Sequence, residues 1–169
     1  MSSTAASGFA LPWPVLARGP AGDEPGSVFR LDLTAVPAAA RVARYRARIV
    51  LAEWNVSQDD ADTAVLLISE LVSNAVKFGT APSATAPSQI SLSLAHAPGM
   101  LAIGVSDQSV GLPVRRPAGP DSESGHGLNL VSELSCQCGF FFPGPPGWKT
   151  VYCVISLQAG QEQEGEIPA

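Results

Sequence analysis

The segment ADTAVLLISELVSNAVKF, residues 61–78, is apolar around most of a helical circumference. Four polar side chains in its C-terminal half recur at the spacing of one helix face, i, i+3, i+4, i+7: Glu70, Ser73, Asn74 and Lys77. A helix that is apolar nearly all round is buried, so this narrow stripe faces either solvent or a polar cavity. Because charged residues are mostly exposed, the helix alone favours a stripe facing solvent and leaves the cavity as the alternative.

Upstream of this segment the sequence predicts a strand and another helix. Apolar and polar residues alternate over residues 29–33, which is typical of a half-buried strand. Thr34 is then expected to cap a helix that reaches about Trp54. The apolar side of that helix is predicted to consist of Val42, Tyr45, Ile49 and Ala52.

The segment itself has start and stop signals, and further elements follow it. Ser57 followed by Asp60 is similar to a capping box with Asp in place of Glu, and Gly79 is expected to end the helix. The downstream pattern predicts strands at 90–94 and 100–106, a loop at 108–124, a helix from about Gly127, and strands at 138–142 and 150–157. This order indicates an α+β fold, a two-layer α/β sandwich in which about three helices back a mixed sheet.

Composition limits the domain count and the function class. The chain has 169 residues and a net charge of -5, which argues against a general nucleic-acid binder. Residues 1–27 are predicted to form a disordered arm, 28–157 one domain, and 158–169 an acidic disordered tail. Three cysteines with no histidine nearby indicate reduced thiols in a cytoplasmic protein, and no apolar run is long enough for a membrane span.

Two loops carry residues that could bind a ligand. Asp107 leaves a predicted strand, where its carboxylate could accept hydrogen bonds, and Gly111 would let a flat group approach the backbone. The alternative for Asp107 is a cap of its own turn. Gly125 and Gly127 directly precede a predicted helix, whose free N–H groups can bind an anion; His126 between them is either a phosphate contact or an exposed loop residue.

Taken together, three motifs resemble the nucleotide-binding boxes of the GHKL ATPases, a superfamily that includes gyrase and the sensor histidine kinases. The segments are residues 70–76 (ELVSNAV), 107–111 (DQSVG) and 125–128 (GHGL), which are similar in order and spacing to the N, G1 and G2 boxes. ADTA at 61–64 and KTVY at 149–152 resemble the bacterial anti-sigma-factor serine kinases in particular. The resemblance covers roughly residues 29–157.

This resemblance implies a GHKL (Bergerat) ATP-binding fold with ATP and Mg²⁺ as cofactors and a lid at 112–124. Asn74 would ligate Mg²⁺, Asp107 would accept the adenine amino group, and Glu70 would be the catalytic residue that deprotonates or orients the nucleophile. The complete implied cofactor site is Asn74, Asp107, Gly111, Gly125, His126, Gly127, Leu128 and Thr150. The sequence departs from the family pattern at Ser109, where a glycine is usual, at Phe78, and at His126.

The resemblance also implies a function. The first hypothesis is a serine/threonine protein kinase that binds a sigma factor and phosphorylates an antagonist protein. The alternative is a non-catalytic module that uses ATP to sequester its partner. Both hypotheses allow a homodimer, and neither involves direct contact with nucleic acid or membrane.

Overall fold

The computed structural model describes residues 26–79, 88–109, 111, 126–142 and 147–158. The expected lid at 112–124 lies outside these ranges, as do residues 1–25 of the expected arm and 159–169 of the expected tail. Ser27, which was assigned to the arm, is the first residue of a strand.

The described residues form five strands and three helices. In chain order the elements are β1 (Ser27–Thr34), α1 (Ala39–Glu53), α2 (Gln58–Phe78), β2 (Gln89–Ala97), β3 (Met100–Asp107), α3 (His126–Leu134), β4 (Gln137–Phe141) and β5 (Lys149–Ser156). The strands form one sheet in the order β1-β2-β3-β5-β4. The predicted α+β class is confirmed.

The sheet is antiparallel at every described strand pair, so the expectation of a mixed sheet is wrong. The connection through α3 does make β4 run in the same direction as β3. However, β5, which follows β4, lies between β3 and β4 in the sheet. Each of these two strands therefore pairs with β5, which runs the opposite way.

The three helices contribute to one core against the sheet, which confirms the two-layer arrangement. Alternate residues of the central strands enter that core, and the sheet contributes Ile90, Leu92, Leu94, Leu101, Ile103, Val105, Cys153 and Ile155. Leu67, Ile68 and Leu71 of α2 are buried against them. This burial makes α2 the central helix of the domain.

Helix α1 buries a different face from the predicted one. Thr34 is the last residue of β1, and α1 begins at Ala39 without a side-chain cap. The buried residues of α1 are Ala39, Ala40, Ala43, Ala47, Val50 and Leu51, whereas Val42, Tyr45, Ile49 and Ala52 are exposed. Small side chains allow the helix axes to approach closely, so the alanine face packs inward and the bulkier face stays outside.

Helix α2 is capped as the sequence predicts, although its capping box is incomplete. Ser57 Oγ accepts a hydrogen bond from the Asp60 backbone N–H at 3.2 Å. The Asp60 carboxylate does not complete the box; Oδ2 accepts from Ser57 Oγ and from the Gln158 N–H, which follows β5. The helix ends at Gly79. Even this helix of 21 residues, the longest among those described, lacks the apolar character needed to span a membrane.

A pH-dependent contribution to stability is expected from His96 in β2. Its ring stacks on Trp54 with centroids 5.7 Å apart, and burial lowers the pKa of His96 below its ordinary value. The unfolded chain therefore binds a proton at this residue more readily than the folded chain does. Folding stability should fall as the pH drops below about 6.5, the unfolded value, and level off below the folded pKa.

The measurement is the melting temperature at pH 7.5 and pH 5.5, followed by tryptophan fluorescence. A His96→Gln variant is the control because it cannot take up the proton. Its melting temperature should fall less than that of the wild type between pH 7.5 and pH 5.5. Equal losses in the two proteins would show that His96 does not contribute to the acid sensitivity.

Candidate functional site

The polar stripe of α2 faces the beginning of α3. Glu70 and Asn74 are half-buried, and Lys77, farther along the stripe, is exposed. A Cβ added at Gly127 would overlap the Glu70 carboxylate and would lie 3.6 Å from Asn74 Nδ2. Three residues from sequence segments more than 50 positions apart therefore meet at one point.

A side chain at position 127 would fit only if the Glu70 carboxylate moved aside. The first turn of a helix has N–H groups without intrahelical partners and a positive end of the helix dipole. At this contact, those donors adjoin two side chains with oxygen ligands, a carboxylate and an amide. The arrangement can hold an anion and a hard cation side by side.

Asp107, at the end of β3, is the second centre of the site. Its side chain is buried, and Oδ1 accepts a hydrogen bond from the Ser109 N–H at 2.9 Å. The same oxygen lies 3.5 Å from Lys149 Nζ. Asp107 thus caps its own turn, as one of the two sequence interpretations proposed. Its Oδ2 makes no hydrogen bond to the described residues and remains available as an acceptor.

Lys149 is a site residue that the sequence reasoning missed. It is only 5% exposed, and its ammonium group donates to Ser109 Oγ at 2.5 Å and to the Gly111 carbonyl at 2.8 Å. Lys149 lies directly opposite Asp107 in the register of β3 and β5. The signal was present in KTVY at 149–152, but a single sequence does not reveal which strands pair.

Thr150 supports the same end of the site from β5. It is fully buried, and its Oγ1 lies 2.7 Å from Ser106 Oγ, the residue opposite it on β3. This hydrogen bond joins the two strands one residue before Asp107. Thr150 therefore fixes the strand end from which the Asp107 side chain emerges.

Gly79 connects the two centres. A Cβ added there would lie 2.8 Å from Asp107 Cβ, so the end of α2 packs directly against this aspartate. Asn74 and Gly79 are five residues apart, or roughly 8 Å along a helix axis. The Asp107 centre and the Glu70–Asn74–Gly127 centre are therefore about that far apart along one helix.

The remaining predicted site residues are described in part. Gly111 is exposed, and its carbonyl is held by Lys149. His126 begins α3, and Leu128 is half-buried in its first turn. Gly125 lies outside the described residues. Within the described ranges there is no group of three or more His, Cys, Asp or Glu side chains that could hold a metal ion.

Comparisons with known proteins agree with this geometry. The sequence pattern of the histidine kinase-like ATPase domain matches residues 33–140. A solved structure with a similar fold is the crystal structure of the RsbU and RsbW domains of Rv1364c from Mycobacterium tuberculosis, with a TM-score of 0.56 and 25% sequence identity. The alignment covers 79% of this chain and 33% of that chain. A comparison with curated proteins finds no match.

The fold is that of a GHKL-type ATPase domain. Because the family pattern spans well over half of the chain, this protein belongs to the histidine kinase-like ATPase domain family. It is similar to the Mycobacterium tuberculosis structure, of whose chain it spans about a third.

Proposed function

We propose that this chain is a cytoplasmic ATP-binding regulator, a serine/threonine protein kinase that binds a sigma factor and phosphorylates an antagonist protein. The observation that carries the proposal is the meeting of Glu70, Asn74 and Gly127 at the start of α3. Membership of the ATPase family supports nucleotide binding at that point. The sigma factor and its antagonist follow from the resemblance of the sequence to the anti-sigma-factor kinases.

The proposed nucleotide lies along the C-terminal half of α2. Asp107 Oδ2 would accept a hydrogen bond from the amino group of adenine, because Oδ1 already accepts from Ser109. The phosphates would bind near the N–H groups at the start of α3. Gly127 lacks the side chain that would obstruct this approach.

The donor atoms at the phosphate end suit Mg²⁺. The Asn74 side-chain oxygen and the Glu70 carboxylate are hard oxygen donors, which this cation prefers. Asn74 would hold the ion, and the bound ion would neutralise phosphate charge. Glu70 lies one helical turn from Asn74 on the same face, where its carboxylate can accept the proton of a serine hydroxyl.

ATP binding is the first test of the proposal. Calorimetry with a non-hydrolysable ATP analogue should give saturable binding that weakens when Mg²⁺ is chelated. Labelled ATP, Mg²⁺ and purified candidate antagonist proteins should then give a labelled serine or threonine on one antagonist. Binding without any labelling would favour the sequestering module, and an absence of heat at millimolar ligand would contradict nucleotide binding itself.

Replacing Gly127 by alanine should impair the site without unfolding the domain. The new Cβ would overlap the Glu70 carboxylate, which ends a flexible side chain and can move aside. Alanine is also the better helix former, so the melting temperature should change by only a few degrees. Displacement of Glu70 should lower phosphoryl transfer by roughly 10–100-fold, since small misplacements of a reacting group are costly.

The control for this variant is its combination with Glu70→Gln. If alanine at 127 acts only by displacing Glu70, the double variant should transfer phosphate as slowly as Glu70→Gln alone, because the alanine adds little once Glu70 is replaced. If the double variant lost the product of the two single-variant rate reductions, Gly127 would act through the phosphates or the helix start instead.

A further inference from the structure

Lys149 contacts three residues of the turn that follows β3. The Lys149 ammonium contacts three oxygens of that one turn: Asp107 Oδ1, Ser109 Oγ and the Gly111 carbonyl. Two of the three ammonium donors make hydrogen bonds, to Ser109 Oγ and the Gly111 carbonyl, and Asp107 Oδ1 lies 3.5 Å away as an ion pair. Lys149 is also buried. Its polar contacts with the described residues therefore all lie in this turn.

Ser109 is part of the same arrangement. Its N–H donates to Asp107 Oδ1, and its hydroxyl accepts from Lys149. A glycine at this position, usual in the resembling family, would keep the first hydrogen bond and lose the second. The contact between Ser109 and Lys149 is thus a feature of this chain's own residues.

These contacts fix the Asp107 carboxylate. Both donors that reach it, the Ser109 N–H and the Lys149 ammonium, approach Oδ1. A carboxylate held at one oxygen cannot rotate freely, and its other oxygen keeps a set direction. The lysine cation also compensates a buried carboxylate charge, which would otherwise be expensive to keep in the folded protein.

We propose that Lys149 is a positioning residue that determines base specificity by holding Asp107 with Oδ2 directed at the amino group of the bound purine. The proposal rests on the proposed function, because it assumes a nucleotide at this site. It deepens that function because it names the two residues that distinguish an amino group from a carbonyl group on the purine. Asp107 makes the contact, and Lys149 keeps it in place.

The probe pair is ATP and inosine triphosphate, which carries a carbonyl where ATP carries the amino group. Calorimetry on the full chain gives both dissociation constants, and their ratio is the readout. The wild type should prefer ATP. Lys149→Met, which keeps an unbranched side chain one atom shorter and loses the charge, should reduce this preference about 10-fold through a poorly oriented hydrogen bond. If Lys149→Met only impaired folding, the binding of both nucleotides would weaken equally and the ratio of the two dissociation constants would not change.

Ser109→Gly is the matched control. It removes one lysine contact, and it keeps the N–H bond to Asp107 and the Asp107–Lys149 pair. Its preference for ATP should stay within about 3-fold of the wild type, because both contacts to Asp107 Oδ1 remain and the lost hydrogen bond does not involve the carboxylate. A loss in Ser109→Gly as large as that in Lys149→Met would contradict the assignment to Lys149.

A second comparison holds even if Lys149→Met does not fold. Asp107→Asn combined with Lys149→Met removes both charges, which is better tolerated than leaving one buried charge unpaired. If Lys149 acts through Asp107, the double variant should have the same ratio as Asp107→Asn alone. A further drop in the double variant would overturn the inference and leave ATP binding intact. Wild-type protein that binds neither nucleotide would overturn the proposed function, and the inference with it.

Discussion

Glu70→Gln is expected to bind ATP about as tightly as the wild type and to transfer phosphate to a partner serine about 10²–10⁴-fold more slowly. Glutamine keeps the shape of the side chain and can still meet Gly127, whose position leaves no room for a larger group. It cannot take the proton from an attacking hydroxyl. In phosphoryl transfer the protein contributes mainly positioning and charge stabilisation, so loss of the base should affect the rate and spare binding.

The rate is measured as label transferred from ATP to the antagonist in single-turnover conditions, which separate the chemical step from product release. Glu53→Gln is the matched control, because Glu53 is an exposed glutamate at the end of α1, outside the residues of the proposed site. Asn74→Ala should differ from both, since it should lose Mg²⁺-dependent binding along with transfer. Undiminished transfer by Glu70→Gln would remove Glu70 from the mechanism while keeping the kinase.

The elements that the sequence predicted well are those that depend on short-range signals. The periodicity of residues 61–78 and the Ser57 cap identify α2 with its correct face and ends. The apolar alternation at 90–94 and the turn at 97–99 identify a hairpin that the structure contains. In each case the residues that decide the structure lie within a few positions of one another.

The predictions that were wrong depend on packing between distant segments. Helix α1 has two faces that could be buried, and large apolar residues such as Tyr45 made the wrong one look favourable. The structure buries the alanine face around Ala43 and Ala47 because it fits closely against its neighbours. Only the neighbours decide between the two faces, and the helix sequence does not contain them.

The residues of the candidate site also divide into those that local sequence signals identify and those that depend on packing between distant segments. Glu70, Asn74 and Asp107 could be selected because each stands out locally, as a polar residue on an apolar helix or at a strand end. Lys149 could not, because its importance comes from the pairing of β5 with β3. The sheet order places a strand from the end of the chain beside one from its middle, and no local pattern encodes that adjacency.

Asp107→Asn is expected to abolish or reverse the preference for ATP over inosine triphosphate and GTP. The amide that replaces the carboxylate has one acceptor and one donor end. Both neighbours that reach Oδ1, the Ser109 N–H and Lys149, are donors, so the amide oxygen should occupy that position. The amide nitrogen then points at the base, where it opposes the amino group of adenine and suits a carbonyl.

The expected cost for ATP is on the order of 1–3 kcal/mol, the usual penalty for a mispaired buried polar group, or about 5–150-fold in affinity. The change is measured as the ratio of dissociation constants for ATP and the two carbonyl purines. Asp59→Asn, at an exposed aspartate in the first turn of α2, is the control and should leave the ratio unchanged. Because the Ser109 N–H, which donates to the Oδ1 position, sets the orientation of the amide, the direction of the shift is fixed as well as its size. An unaltered preference for ATP in Asp107→Asn would therefore show that the base does not contact Asp107, whatever the affinity of the variant.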